Sequence, residues 1–158
     1  MFVGNEPGHH LRYYVQNLDG APPRAVTPEN VSFNFLLDPV VISPNGRFVA
    51  AAELDGKVLL YPLDGGAPRE IPKLADGSEP LRWCPDASLL IYHAGTVPLK
   101  IVRTDIETGK QTVWKELEPS YRTGLTSISN TRVRADCKSL AYTAQYALTE
   151  LWIVAGLR

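Results

Sequence analysis

Two families of tight turns recur along this chain with nearly the same period, and few folds can accommodate that pattern. The first family separates apolar stretches, with copies at residues 40–51, 81–92 and 131–142. In the first copy Val40-Val41-Ile42 leads into Ser43-Pro44-Asn45-Gly46, and Arg47-Phe48-Val49-Ala50 leads out. Proline presets φ at the first corner. Asn or Asp accepts a nearby backbone hydrogen bond, and glycine takes positive φ without a Cβ clash. The second copy keeps Pro85 and Asp86 but has Ala87 at the glycine position. The third keeps only Asp136, with Ala135 and Cys137 in place of proline and glycine. The turn signal decays along the chain, so the later copies need not share the geometry of the first.

The second family is interleaved with the first. Leu18-Asp19-Gly20-Ala21-Pro22 resembles Leu63-Asp64-Gly65-Gly66-Ala67-Pro68, and Asp105-Ile106-Glu107-Thr108-Gly109-Lys110 takes the same place one repeat later. Leu18 and Leu63 are 45 residues apart, Leu63 and Ile106 are 43 apart, and Pro44 and Pro85 are 41 apart. Each glycine-bearing turn joins an outward strand to a short return strand, which is hairpin chemistry. The 13 prolines and 12 glycines are spread along the chain, as many short strands require.

Each repeat therefore reads as four strands, A to D. The first has them near residues 35–42, 47–53, 58–63 and 69–71. In the second they lie near 80–83, 89–93, 100–105 and 111–115, and in the third near 127–134, 139–143 and 151–154. Residues 11–18 and 24–27 look like strands C and D of an incomplete unit. No segment has convincing helical periodicity; 144–153 comes nearest, and its β-branched and aromatic content leans to strand. A period of ~40–50 residues with four strands is the signature of propeller blades. The expected fold is all-β, a partial β-propeller of about three four-stranded antiparallel blades. It spans residues 1–158 as one unit, with an incomplete blade at 11–30 and blades at 31–75, 78–118 and 124–158. A two-sheet sandwich is the competing all-β fold, but a sandwich needs no sequence repeat.

The turn residues also carry a family resemblance. Ile42-Ser43-Pro44-Asn45-Gly46-Arg47-Phe48-Val49-Ala50 resembles the SPDG(K/R)-x-hydrophobic-A motif of TolB-like or WD40-like (PD40) propeller repeats. Val58-Leu59-Leu60-Tyr61-Pro62-Leu63-Asp64-Gly65-Gly66 resembles the strand and LDGG segment that follows it. The ending from Leu151 to Arg158 is similar to the last strand of propellers attached to bacterial serine/threonine protein kinases. The resemblance implies a ring of six or more blades that serves as a binding platform. Related propellers cap the active site of prolyl-oligopeptidase-like hydrolases. The family has no universal binding motif, so no functional residue carries over.

A search for chemistry finds little. There is no GxSxG, P-loop, GxGxxG opening a helix, HExxH, EF-hand loop or kinase catalytic motif. Cys84 and Cys137 lack metal-ligand spacing. They read first as small buried hydrophobes, and a disulfide is the less favoured alternative. His9-His10 is an adjacent pair, and its rings point apart on an extended chain. His93 ends a B strand with no serine or cysteine partner suggested by the sequence. Asp19, Asp64 and Asp105 recur at equivalent turns, which favours turn roles over acid/base work. Formal net charge is −1, so no global field attracts nucleic acid or an anionic membrane. Arg122, Arg132 and Arg134 read as a solvated face. No apolar run approaches the ~20 residues of a membrane span, and the start has no signal-peptide pattern.

Function is therefore expected to lie in loops. Candidate binding loops carry Glu53, Asp55, Tyr121, Arg122 and Tyr146, with residues 94–98 beside them. The expectation is a non-catalytic module for protein or ligand binding, without cofactor or metal, within a larger bacterial protein such as a sensor kinase. The alternative is the accessory propeller of a prolyl-oligopeptidase-like hydrolase. Thirteen strands fall short of the ~16 that a four-bladed ring needs. Self-association as a homodimer, or docking against further blades of a longer chain, is accordingly expected. The compartment is periplasmic or otherwise extracytoplasmic if the chain belongs to a membrane-anchored protein.

Overall fold

In a computed structural model of the chain, the described residues are 1–29, 31, 40–93, 96–151 and 153. They form an all-β partial propeller of four antiparallel sheets, with no helix among the described residues. The first sheet is β1 (Phe2–Gly4), β2 (Arg12–Val15) and β3 (Arg24–Ala25). The second is β4 (Val40–Ile42), β5 (Phe48–Ala52), β6 (Val58–Pro62) and β7 (Arg69–Glu70). The third is β8 (Ser78–Trp83), β9 (Leu89–His93), β10 (Leu99–Thr104) and β11 (Gln111–Leu117). The fourth is β12 (Leu125–Val133) and β13 (Leu140–Tyr146). Within every sheet each strand pairs with its neighbour in sequence.

Among the described residues the strands number thirteen, the total expected, but they are distributed differently. The first sheet gains β1, whose Phe2 stands opposite Tyr14. Three residues flanked by a polar loop are too few to show periodicity, so only pairing with β2 defines this strand. The strand expected at 151–154 lies partly outside the described residues, as do residues 35–39 of the first A strand and residues 94 and 95.

The turn chemistry survives where its sequence signal fades. Gly46, Ala87 and Cys137 hold φ of 66°, 61° and 52°, one conformation in three copies. In each copy the Asn or Asp side chain accepts from the N–H two residues on, at 3.1 Å for Asn45, 3.1 Å for Asp86 and 3.0 Å for Asp136. This Asx bond supplies the corner without glycine. The left-handed conformation of Ala87 and Cys137 costs roughly 1–2 kcal/mol each.

The sheets stack face to face, and alternation along the strands shares their side chains between neighbours. On β5, Val49 and Ala51 pack toward Tyr13 of the first sheet, while Ala50 packs toward the third sheet. On β9, Leu89 and Ile91 meet the second sheet, while Leu90 and Tyr92 meet the fourth. Both faces of a middle sheet are thus core, which explains their near-continuous apolar runs. Alanines at 50 and 51, fully buried, let the sheets approach closely. Gly109 does the same at a corner: a Cβ there would collide with the Pro72 carbonyl, two residues beyond β7.

Two specific links reinforce the stacking. The Trp83 indole N–H donates to the Val41 carbonyl at 3.1 Å, joining the inner strands of the second and third sheets. Cys84 and Cys137 form a disulfide between the third and fourth sheets, with Cα atoms 5.6 Å apart. Both are buried, as expected, but the preference for free thiols is corrected. Cys84 opens one A–B turn and Cys137 closes the next. Unequal positions in sequence become adjacent because neighbouring sheets stack turn on turn.

Candidate functional site

In an up-and-down sheet, alternate turns emerge at opposite ends. The β4–β5, β8–β9 and β12–β13 turns share one end with the β6–β7 and β10–β11 turns. The other end carries the β5–β6 and β9–β10 turns and the connections between sheets. All five residues singled out from sequence lie at this second end, in two groups on different sheets.

Glu53 and Asp55 shape the β5–β6 turn. The Asp55 carboxylate accepts the Lys57 N–H at 3.1 Å, and the Glu53 N–H donates to the Lys57 carbonyl at 2.7 Å. The Tyr61 hydroxyl donates to the Glu53 carboxylate. Burial, and then this bond, push the Tyr61 phenol well above its ordinary value, so it stays a donor. The turn is held down from outside as well, since the Gly77 N–H donates to the Gly56 carbonyl at 2.7 Å.

Tyr121 and Tyr146 meet on the fourth sheet. Their ring centroids lie 6.0 Å apart, and the Tyr146 hydroxyl donates to the Tyr121 carbonyl at 3.1 Å. Arg122 pairs with Glu118 one helical-type spacing away. Both tyrosines are more than a third exposed, which leaves an aromatic pair facing solvent.

The opposite end holds a cleft that sequence reasoning missed. About 560 Å³ in volume, it opens between the second and third sheets. Its walls are the β4–β5 turn (Ser43, Asn45, Arg47, Phe48), the β8–β9 turn (Asp86, Ala87, Ser88) and the β10–β11 turn (Asp105, Ile106, Glu107, Lys110), with Trp83 and Arg103 between. These residues were legible only as turn formers. Their periodic spacing was the available signal, because turns of equal phase in stacked sheets must gather at one end.

Hydrogen bonds fix the acids of this cleft. Asp86 accepts the Ser88 hydroxyl at 2.6 Å and N–H at 3.1 Å, and Arg103 binds its second oxygen at 2.5 Å. The Ser88 hydroxyl, and then its N–H and the Arg103 guanidinium, hold the Asp86 carboxyl below the usual range. Asp105 accepts the Thr108 N–H and hydroxyl, each at 2.8 Å, and the Glu107 N–H at 3.1 Å. The Thr108 N–H is the main cause of its lowered value. Glu107 pairs with Arg69 at 2.5 Å, and Arg69 also donates to the Ile106 carbonyl at 3.1 Å.

The histidines are engaged elsewhere. His9 Nδ1 lies 2.6 Å from the Glu29 carboxylate, which also accepts the His10 N–H at 3.1 Å. Cross-strand register brings Ser78 opposite His93, with Ser78 Oγ 3.4 Å from the ring Nε2. That serine is buried, and its hydroxyl donates to the Ala75 carbonyl at 2.6 Å, so it closes a turn. Among the described residues no group of three His, Cys, Asp or Glu is disposed to hold a metal ion. No helix among them is long and apolar enough to cross a membrane.

No protein-family model matches the chain. It is similar to a Streptomyces coelicolor protein named Tricorn protease homolog 1, at 32% identity over 90 residues. That match covers 52% of this chain and only 8% of the relative's length.

Proposed function

We propose that this chain is a non-catalytic binding part of a longer protein, a run of propeller blades that takes up a ligand or a protein segment between its two four-stranded sheets. The observation that carries the reading is the cleft, concave, part aromatic and lined by fixed charges. Concave clefts that combine apolar surface, here Phe48, Trp83 and Ile106, with polar groups fixed in place are where ligands bind, and this one is richer than most in charge. The TolB-like motif at Ser43–Ala50 supports a propeller-repeat platform, and attachment to a sensor kinase is the larger context that resemblance suggests. The disulfide supports an oxidising, extracytoplasmic compartment. Self-association, or docking of further blades, would cover the exposed face of the fourth sheet.

A second reading has its own support. The similarity to a protein named as a protease favours an accessory propeller in a proteolytic enzyme. In both readings this part binds and does not cleave. The test is a fragment screen by NMR on the labelled chain, with peptide and ester turnover measured on the same sample. Neutral and charged fragments that shift the Phe48 and Trp83 resonances, without turnover, support the binding reading. Turnover that is lost on point mutation overturns it. Light scattering decides self-association, and a dilute monomer counts against it.

A further inference from the structure

We propose that the cleft between the second and third sheets binds a monocarboxylate carried on an apolar body. The inference rests on the reading of this cleft as the ligand site and names the ligand's chemistry. Three acids and three bases line it: Asp86, Asp105, Glu107, Arg47, Arg103 and Lys110. Their formal charges cancel, but their commitments differ. Every acid is already held by a guanidinium, a hydroxyl or backbone N–H groups. Of the bases, Arg103 pairs with Asp86, and the Lys110 charge helps hold the Asp105 carboxyl below its usual range. Among the described residues, Arg47 and Lys110 form no ion pair. With Asp86 on Arg103, Glu107 on Arg69 and the Asp105 charge opposed by Lys110, Arg47 leaves the cleft one positive charge in excess.

Arg47 is oriented without being neutralised. Its guanidinium carbon lies 5.6 Å from the centroid of the Phe48 ring. Arg69 lies 5.7 Å from the same centroid and is anchored by Glu107 and the Ile106 carbonyl. A cation–π contact steers a guanidinium while leaving its N–H donors open. A planar fork of donors matches a carboxylate. Lys110, on the facing β10–β11 turn, adds a second positive charge to the same cavity.

The cavity also says what the carboxylate is attached to. A volume of about 560 Å³ suits an organic ligand and far exceeds a bare ion. Phe48, Trp83 and Ile106 supply apolar lining. A doubly charged phosphate would sit among three ionised carboxylates, which disfavours it relative to a single charge.

The test is calorimetric titration at low salt with 3-phenylpropionate, its neutral amide 3-phenylpropionamide, and inorganic phosphate. The expected result is saturable binding of the carboxylate, with the amide and phosphate each weaker by roughly tenfold or more. Arg47→Gln and Lys110→Gln, both on exposed side chains, should each weaken the carboxylate by about tenfold and the amide by clearly less. Equal binding of amide and carboxylate, with Phe48 and Trp83 resonances shifting for both, overturns the carboxylate assignment and leaves the ligand-site reading standing. Phosphate binding tighter than carboxylate also overturns it. If no probe shifts those resonances, the assignment and the ligand-site reading fall together. The wild-type comparison of acid and amide decides the matter even if a variant folds poorly.

Discussion

Strands β9 and β13 hold the same place in their sheets, second from the innermost strand, and their environments are opposite. On β9, Leu89 and Leu90 are 0% exposed and Ile91 is 1% exposed. On β13 no residue is buried, and Tyr142 and Tyr146 are 39% and 42% exposed. Both strands follow the same turn, with positive φ at Ala87 and at Cys137. Local conformation is therefore set by the turn, while burial is set by the neighbour. The third sheet lies between two others, whereas the fourth packs against one described sheet and is joined to it by a disulfide.

The most forceful way to break this comparison is to remove that bond. Cys84 and Cys137 are 53 residues apart, and closing a loop of that size is worth about 4 kcal/mol in the chain-entropy account. Cys84→Ser with Cys137→Ser should lose most of that in urea denaturation. Hydrogen exchange should show β12 and β13 opening first while β5, β6 and β9 stay protected. Uniform loss of protection would mean that the fourth sheet is no weaker than the rest.

Side-chain truncation compares the strands directly. Leu90→Ala should cost about 3 kcal/mol, since the side chain is fully buried between sheets. Tyr142→Ala should cost less than about 1 kcal/mol in the isolated chain. Thermal melts of both variants give the contrast. If Tyr142→Ala were as damaging as Leu90→Ala, its face would be covered, as self-association would cover it.

The turns offer a smaller effect of opposite signs. Ala87→Gly should stabilise by roughly 0.5–1 kcal/mol, because glycine removes the positive-φ penalty. Gly46→Ala should destabilise by a similar amount, with nothing within 4 Å of its added Cβ to complicate the result. Chemical denaturation of the pair checks whether the three corners are energetically equivalent.

The least effect concerns acid. Asp86 and Asp105 are held below their ordinary values by turn hydrogen bonds. Each contributes stability that is fully present above the unfolded value of about 3.9 and lost as pH falls through the lower folded value. Melting temperature should therefore be insensitive to these groups at neutral pH and decline below about pH 4. Asp86→Asn should shrink that decline, and an unchanged acid profile would remove Asp86 from the account.

Much of the fold was legible because its determinants are local. Pro, Asn or Asp, and Gly at fixed offsets dictate a corner through bonds that span two or three residues. Repetition of such corners every 41–50 residues specified four-stranded units. Even the two copies that lost glycine kept the corner, because the Asx bond alone suffices. The function-bearing features were harder to read. Glu53, Asp55, Tyr121, Arg122 and Tyr146 were chosen from loops, one loop at a time, and they lie at the end away from the cleft.

The cleft and the disulfide depend on residues brought together from distant parts of the chain and from different sheets. Arg47 and Lys110 are 63 positions apart, and no local rule links them. Sequence alone determined the strands, the corners and their period, since those follow from backbone stereochemistry within a few residues. Only the stacking of sheet on sheet decided which corners meet, which cysteines bond, which charges stay unpaired and which identical-looking strand is core or surface. Those outcomes belong to contacts across 40 or more residues, where the free energy resides in the neighbour and not in the segment.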